Sequence, residues 1–460
     1  MTEQYDVLVI GSGEAAGKYV AWTASKDGHR TALVERSMIG GSCPNVACLP
    51  SKNVIHSAKV ANFAGRAREF GVQTGAVHVD MTGVRRRKRE MVDALIQVHQ
   101  GKYDASGVDL IMGEARFMAP KTVAVRLNDG RERTITAERV VLSLGTRASI
   151  PGIPGLSDAR PLTHVEFLEL DRLPDHLIVV GGGYVGLELA QAARRFGARV
   201  TLVERGPQVA PREDPDVSSA ILELFHHEQV QVLLNTDARR VEGTSGEHVR
   251  VHVESLDGAR VIEGTDLLIA TGRTPNTNGI GLDLAGVELN ERGFVAVNER
   301  LETTADGVWA VGDCAGSPQF THAAFDDFRI VRDAFRGHAR TTRNRLVPYC
   351  MFTDPELARV GLNETDANAR GTEYRVVTLP MSAVLRTRTL SAPRGFMKML
   401  LDPTSDRILG FTVFGAGASE LMAVVQTAML GNLPCTVLRD ALFTHPTAAE
   451  GLTVLLANVE

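Results

Sequence analysis

Residues 5–13 read YDVLVIGSG, and residues 176–186 read HLIVVGGGYVG. Each is an apolar run of strand length that ends in a glycine cluster. A helical stretch to about Gly28 and the strand TALVER follow the first; LELAQAARRFG and the strand RVTLVER follow the second. Strand, glycine-rich turn, helix and second strand make a βαβ unit, so the chain is expected to contain two dinucleotide-binding folds. In the first unit Gly11, Gly13 and Ala16 fill G-x-G-x-x-G/A, and Glu35 follows Gly13 by 22 residues. In the second, Gly181, Gly183 and Gly186 fill the pattern, and Glu204 follows Gly183 by 21. The glycines let the backbone approach a pyrophosphate at the positive end of the helix, and the acid accepts hydrogen bonds from an adenosine ribose. One such turn is weak evidence, because ordinary βα turns also produce it. Two, each with strand, helix and acid in register, predict two nucleotide sites. Glu14 sits inside the first glycine loop, where a carboxylate facing the pyrophosphate would be repelled, so it is expected to point outward.

The bulk properties agree with this reading. A chain of 460 residues is too long for one core and should divide into two to four domains. It is 44% hydrophobic and 23% charged with 44 glycines, as expected of a globular α/β protein rich in tight turns. The net charge of -5 gives no general attraction to nucleic acid or anionic membrane. No apolar run reaches membrane-span length, and the N-terminus enters a strand without a secretory signal, so a cytoplasmic location is expected.

Residues 40–52 read GGSCPNVACLPSK. The spacing of Cys43 and Cys48 alone leaves open a structural disulfide, half of a metal site, and a redox couple. Five cysteines in so long a chain are no disulfide framework, and the cytosol keeps thiols reduced. Zinc sites generally use a second ligand pair at similar spacing, and none occurs here, so no metal site is expected. Residues five apart on an undistorted α-helix are separated by ~7.5 Å of rise, beyond disulfide reach. A bridge therefore requires an irregular first turn, which Pro44 suits. A short loop stabilises a disulfide little and leaves it reducible, and a helix start favours a thiolate. Cys314, Cys350 and Cys435 stand alone and read as small buried hydrophobes.

With these pieces in place, the chain resembles the flavoprotein pyridine-nucleotide–disulfide oxidoreductases, which include dihydrolipoamide dehydrogenase, glutathione reductase and mercuric reductase. GGSCPNVACLPSK is similar to the family's redox-active segment. SLGTRASIPGIPG and TGRTPNTN resemble its two crossovers, and VWAVGDCAG at 308–316 its second flavin-contacting motif. FTDPELARVG at 352–361 resembles the start of its interface domain, and THPTAAEG at 444–451 its C-terminal dyad. The expected fold is α/β: two Rossmann-like dinucleotide-binding domains plus a C-terminal α+β dimerisation domain. The expected boundaries are 1–150 for an FAD-binding domain, 151–273 for an NAD(P)-binding domain, 274–345 for a segment returning to the first, and 346–460 for the dimerisation domain.

The resemblance implies FAD in the first unit, contacted by Gly11, Gly13, Glu35, Lys52 and Asp313, and NAD(P)H in the second around Gly181, Gly183, Gly186 and Glu204. Ala16, Ser42, Gly145 and Gly272 complete the expected cofactor-binding set. Lys52 and Glu188 correspond to an ion pair beside the flavin, and Tyr184 to a side chain gating the nicotinamide pocket. Cys48 is the implied flavin-side thiol and Cys43 the interchange thiol. His445, oriented by Glu450, is the implied proton shuttle, reaching the cysteines of the other subunit of a homodimer. For the nucleotide, Glu204 favours NAD, while Arg205 and Arg212 keep NADP as the alternative. The expected function is NAD(P)H:disulfide oxidoreduction on a small disulfide or dithiol, most like dihydrolipoamide dehydrogenase.

REDP at 212–215, GRTPNT at 272–277 and SPQF at 317–320 look more like mercuric reductase, although the chain ends LLANVE without a cysteine pair. Soft-metal reduction is therefore the alternative. A flavin-bearing redox sensor is a further one, which the dyad and the tyrosine argue against. The basic run RRRKRE at 85–90 is expected to be a solvated helix face and no nucleic-acid site.

Overall fold

The structure is a computed structural model that describes residues 2–13 and 15–459, so the expectation for Glu14 lies outside the described residues. Thr2–Ile10 lies between Thr31–Glu35 and Glu132–Leu142, parallel to both. Asp109–Ala119 extends the sheet on one side and Val308–Ala310 on the other. Helices cover both faces, which is why Val7 to Ile10 read as a continuous apolar run rather than an alternating one. Beyond the parallel part, Asp109–Ala119 and Glu132–Leu142 run on into an antiparallel meander through Thr122–Leu127.

The second unit repeats the plan. Its parallel sheet has the order Asp266–Ile269, His176–Val180, Arg199–Val203, Gln231–Leu233, and a three-stranded meander spans Asp237–Gly264. The helix Tyr184–Phe196 buries its apolar face on this sheet and ends at Gly197. Thr146–Ala148 pairs antiparallel with Arg273–Pro275, so the outgoing and returning crossovers run side by side. The returning chain then delivers Val308–Ala310 to the first sheet.

The C-terminal part is a five-stranded antiparallel sheet with Ile408–Gly415 at its centre. The helix Ala418–Leu430 packs on this strand and on Glu356–Gly361, while Gly451–Leu456 packs on Arg375–Pro380. All eight residues of the central strand are consequently buried.

An ionic cluster fastens the second nucleotide unit to this sheet. Asp214 accepts from the backbone N–H groups of Glu364 and Thr365 at 3.1 and 2.9 Å. The Lys398 ammonium lies 2.8 Å from Asp214, 2.8 Å from Asp216 and 2.7 Å from Glu364. Beside it, Arg359 pairs with Glu213 at 3.1 Å and with Asp366 at 3.0 Å.

The basic run is largely the expected solvated helix face, with Arg86, Arg87, Arg89 and Glu90 exposed, but it is not free of partners. It starts the helix Met81–Ser106, and Lys88 is only 2% exposed, paired with Glu169. Arg89 also reaches Glu169, Arg85 reaches Asp171, and Arg87 donates to the Asn53 side-chain oxygen. These pairs also clamp the helix to the second unit and to the helix Cys48–Gly65.

Candidate active site

The two cysteines lie on either side of a break in a helix. Ser42–Asn45 forms one turn, the backbone departs from helical geometry at Val46 (φ -139, ψ 2) and Ala47 (φ -129, ψ -101), and a new helix starts at Cys48. The N–H groups of Val46 and Ala47 both donate to the Ser42 carbonyl at 2.9 Å. The irregularity that a bridge requires is therefore present, but it falls at Val46–Ala47, with Pro44 accommodated inside the short first turn. Both cysteines are free, and their sulfurs share a hydrogen bond.

That hydrogen bond splits their acidities. Cys48 is lowered to about 6 by the bond from Cys43, with the Thr321 hydroxyl and the Lys52 charge helping to outweigh its burial. Cys43 is pushed far up by the same bond and by burial. One proton thus stays on Cys43 while Cys48 is the thiolate. The reduced protein is expected to gain thiolate absorbance with a midpoint near pH 6, and Cys48→Ser to abolish that step. A first thiolate appearing only above pH 8 would contradict the split.

Thr321, whose hydroxyl is 3.4 Å from the Cys48 sulfur, is a site residue that sequence reasoning missed. It begins the helix Thr321–Phe335, 273 residues away in the chain, and no motif spacing links the two.

Lys52 lies one helical turn beyond Cys48 and donates to Glu188 at 2.8 Å. Burial opposes its charge, but Glu188 outweighs that, and its pKa lies above the ordinary value. Glu188 also accepts from the Phe352 N–H at 2.7 Å, and the Lys52 ammonium sits 4.7 Å from the Phe352 ring centroid. The pair thereby joins both nucleotide units and the start of the C-terminal sheet. Tyr184 donates to Glu213 at 2.6 Å. In the C-terminal segment, His445 Nδ1 faces both Glu450 oxygens at 3.0 Å. A carboxylate there places the proton on Nδ1 and leaves Nε2 as the proton acceptor. The imidazole is 63% exposed and bonds to neither cysteine of its own chain.

The glycine turns have the cradle shape that a dinucleotide requires. A Cβ at Gly11 (φ +94) would stand 2.2 Å from the Ser143 carbonyl oxygen. In the second unit, a Cβ at Gly186 would stand 2.0 Å from the Gly181 oxygen; its counterpart in the first is Gly17, at 2.2 Å from the Gly11 oxygen. The close approach expected at Ala16 therefore falls one residue later, and the first turn reads G-x-G-x-x-x-G. Glu35 accepts from Ser12 N, Ser12 Oγ, Ser37 N and Met38 N, which fixes its carboxylate at the strand end. Asp313, 3% exposed, accepts from Thr146 through Oδ2 at 2.5 Å, while its buried Oδ1 has no protein partner. An orphaned buried carboxylate oxygen beside an open glycine turn fits a ligand hydroxyl, as a flavin nucleotide supplies. In the second unit, Glu204 accepts from Gly182 N at 2.6 Å and Gly206 N at 2.8 Å.

Of the remaining expected residues, Gly13 packs under Ser143, Gly183 caps the Tyr184–Phe196 helix, and Ser42 contributes its carbonyl to the break between the cysteines. Gly145 and Gly272 flank the paired crossovers. Arg205 and Arg212 are both exposed. Among the described residues no helix is long and apolar enough to cross a membrane.

Comparison with known proteins agrees with this geometry. The profile of the pyridine nucleotide-disulphide oxidoreductase family matches residues 5–327, and that of the family's dimerisation domain matches residues 347–455. The chain is 35% identical over 463 residues to the probable pyridine nucleotide-disulfide oxidoreductase RclA of Escherichia coli (strain K12), covering 99% of this chain and all of that one. It is 33% identical to a mercuric reductase of Bacillus cereus (99% of this chain, 72% of the other). It is 31% identical to a dihydrolipoamide dehydrogenase of Chaetomium thermophilum (97% and 89%). Among solved structures, a Cu(II) complex of the HOCl-induced flavoprotein disulfide reductase RclA from Escherichia coli superimposes with a TM-score of 0.91 at 34% identity, covering both chains fully. LpdA from Mycobacterium tuberculosis does so at 0.89 and 27%, over 99% of this chain and all of that one. FAD and NAD(P)H are the cofactors of such enzymes, and the chain carries the dimerisation domain that they share. It belongs to the pyridine nucleotide-disulphide oxidoreductase family.

Proposed function

We propose that this protein reduces a small disulfide with electrons from NADH, and that the same steps run backward oxidise a dithiol. The observation that carries the reading is the placement of Cys43 and Cys48 on either side of a helix break, with the Thr321 hydroxyl 3.4 Å from the Cys48 sulfur and the Lys52–Glu188 ion pair one turn further on. FAD, when bound, supplies the two-electron relay between nicotinamide and sulfur.

The chain's own groups perform the rest. Cys43 loses its proton to the partner subunit's His445, whose Nε2 is the acceptor, and attacks one sulfur of the substrate. The substrate's sulfur–sulfur bond breaks, a mixed disulfide forms on Cys43, and the leaving thiolate takes the proton back from the imidazole. The Cys48 thiolate then attacks the Cys43 sulfur, releases the second substrate thiolate and closes the Cys43–Cys48 bond. Two electrons from NADH restore the dithiol. Glu450 keeps the His445 ring oriented throughout, and Thr321 and Lys52 stabilise negative charge on Cys48.

NADH is preferred to NADPH in this reading because the Glu204 carboxylate is fixed by two backbone N–H groups where a 2′-phosphate would stand. Arg205 and Arg212, both exposed, are the features that favour NADPH.

A second reading has a specific observation behind it: the matching RclA structure is a Cu(II) complex, and mercuric reductases are among the relatives. Thiolates are soft ligands, and one dithiol can reduce two Cu(II) to two Cu(I) as it closes to a disulfide. A screen of the purified flavin-loaded protein with NADH or NADPH separates the readings, with lipoamide, glutathione disulfide, other small disulfides, Hg(II) and Cu(II) as acceptors. NADH with one of the disulfides is expected to give turnover at least tenfold above either metal ion. Turnover with metal ions alone would replace the proposal by the second reading, and turnover with no acceptor would end both.

A further inference from the structure

Tyr184 opens its helix at the mouth of the second glycine turn, and Glu188 lies one turn further along the same face. Because Glu188 carries the Lys52 pair, the half-buried Tyr184 ring stands over the side of the helix that faces the flavin unit. A side chain that gates a pocket by swinging needs a loose end. The end of Tyr184 is instead tied, since its hydroxyl donates to Glu213 at 2.6 Å.

Glu213 is 2% exposed and cannot follow a moving ring. Its Oε2 lies 3.1 Å from Arg359 Nε, on a strand of the C-terminal sheet. Arg359 is itself held by Asp366 at 3.0 Å and sits 4.4 Å from the Tyr349 ring centroid. The next residue, Asp214, is pinned by Lys398 and by the backbone of Glu364 and Thr365. The glycine fingerprint requires none of these groups. A hydrogen bond to a charged carboxylate is among the stronger neutral-donor bonds, and burial strengthens it.

We propose that Glu213 is a positioning residue that moors Tyr184 over the nicotinamide pocket, so that a nicotinamide ring enters only as the Tyr184–Glu213 hydrogen bond breaks. The inference rests on the function proposed above and on Tyr184 gating the nicotinamide pocket, as the family resemblance implies. Part of the affinity for the nucleotide is spent on opening this latch, and the C-terminal sheet, through Arg359, sets how firmly it closes.

The test uses flavin-loaded wild type, Tyr184→Phe, Glu213→Gln and the double variant. Calorimetric titration with NAD+ gives a binding constant without turnover, and steady-state kinetics give separate KM values for NADH and for the acceptor. Each single variant is expected to bind NAD+ about threefold or more tightly and to lower the NADH KM in parallel, with the acceptor KM unchanged. The double variant should bind no more tightly than Tyr184→Phe alone, because Glu213→Gln weakens the same bond that Tyr184→Phe removes. Glu213→Gln also weakens the Arg359 pair, so Tyr184→Phe, which leaves that pair in place, decides the question. Unchanged or weaker binding by Tyr184→Phe, or additive effects, would overturn the inference while leaving the proposed function standing. Wild type that binds neither NAD+ nor NADP+ would end both.

Discussion

Cys43→Ser is expected to keep its flavin and to lose NADH-driven disulfide turnover by about 1,000-fold or more. The groups proposed to hold the cofactors lie elsewhere: the glycine turns, Glu35, Asp313 and the Lys52–Glu188 pair are untouched by the change. A serine oxygen fits the space of the sulfur but can neither attack a disulfide nor close a bond to Cys48. Hydride delivery from NADH does not involve Cys43, and anaerobic bleaching of the flavin by NADH should survive. Retained flavin and an unchanged urea midpoint in the variant separate lost chemistry from a folding failure. Retained disulfide turnover in this variant would refute the assignment of Cys43 as the interchange thiol.

Much of this architecture was legible in the chain because its signals are local. The two βαβ units were readable from apolar strands, glycine turns and strand-end acids, all within about thirty residues of one another. The cysteine segment and the His445–Glu450 spacing were readable for the same reason. What escaped was either an exception to a local pattern or a contact between distant segments. Ala16 satisfied the fingerprint as written, but the backbone approach that the third position provides is made by Gly17, because the first turn carries one residue more than the second. Thr321 reaches Cys48 only because the returning chain lays the helix Thr321–Phe335 beside the first sheet. The basic run is mostly exposed as its composition suggests, but the burial of Lys88 and the partners Glu169 and Asp171, about eighty residues away in the chain, show only in the fold. REDP supplies two of the acids, and Asp216 just beyond it a third, in a cluster whose cations lie in another sheet. Charge pairing across domains has no sequence period, so it becomes visible only in the fold.

That cluster gives the second large effect: Lys398→Met is expected to destabilise the protein by about 3 kcal/mol at pH 7. Lys398 and Asp214 are each 1% exposed, whereas Asp216 and Glu364 are partly solvated, which places the loss at the lower end for a broken buried pair. Methionine fills the volume, so the change removes charge rather than packing. The pH dependence distinguishes an electrostatic loss from a packing one. Burial pushes Asp214 up, but the hydrogen bonds from Lys398 and Thr365 outweigh it and hold the carboxyl below its ordinary range. Its stabilising contribution is therefore complete above the unfolded carboxylate pKa of about 3.9 and is lost as the pH falls through the lower folded value. Burial also opposes the Lys398 charge, yet its three carboxylate partners hold its pKa above the ordinary value, so it remains charged throughout this range. Without the ammonium the Thr365 hydrogen bonds are left to oppose the burial, and the Asp214 carboxyl moves upward. Protonation then relieves the crowded acids, so the deficit of the variant should shrink from pH 7 to pH 5. Urea midpoints of wild type and variant, both flavin-loaded and at matched concentration, measure this at the two pH values. A deficit under 1 kcal/mol would place the cluster with solvated surface pairs. One of full size but equal at both pH values would make Lys398 a packing residue, and the acids of REDP would then not be what fastens the nucleotide unit to the C-terminal sheet.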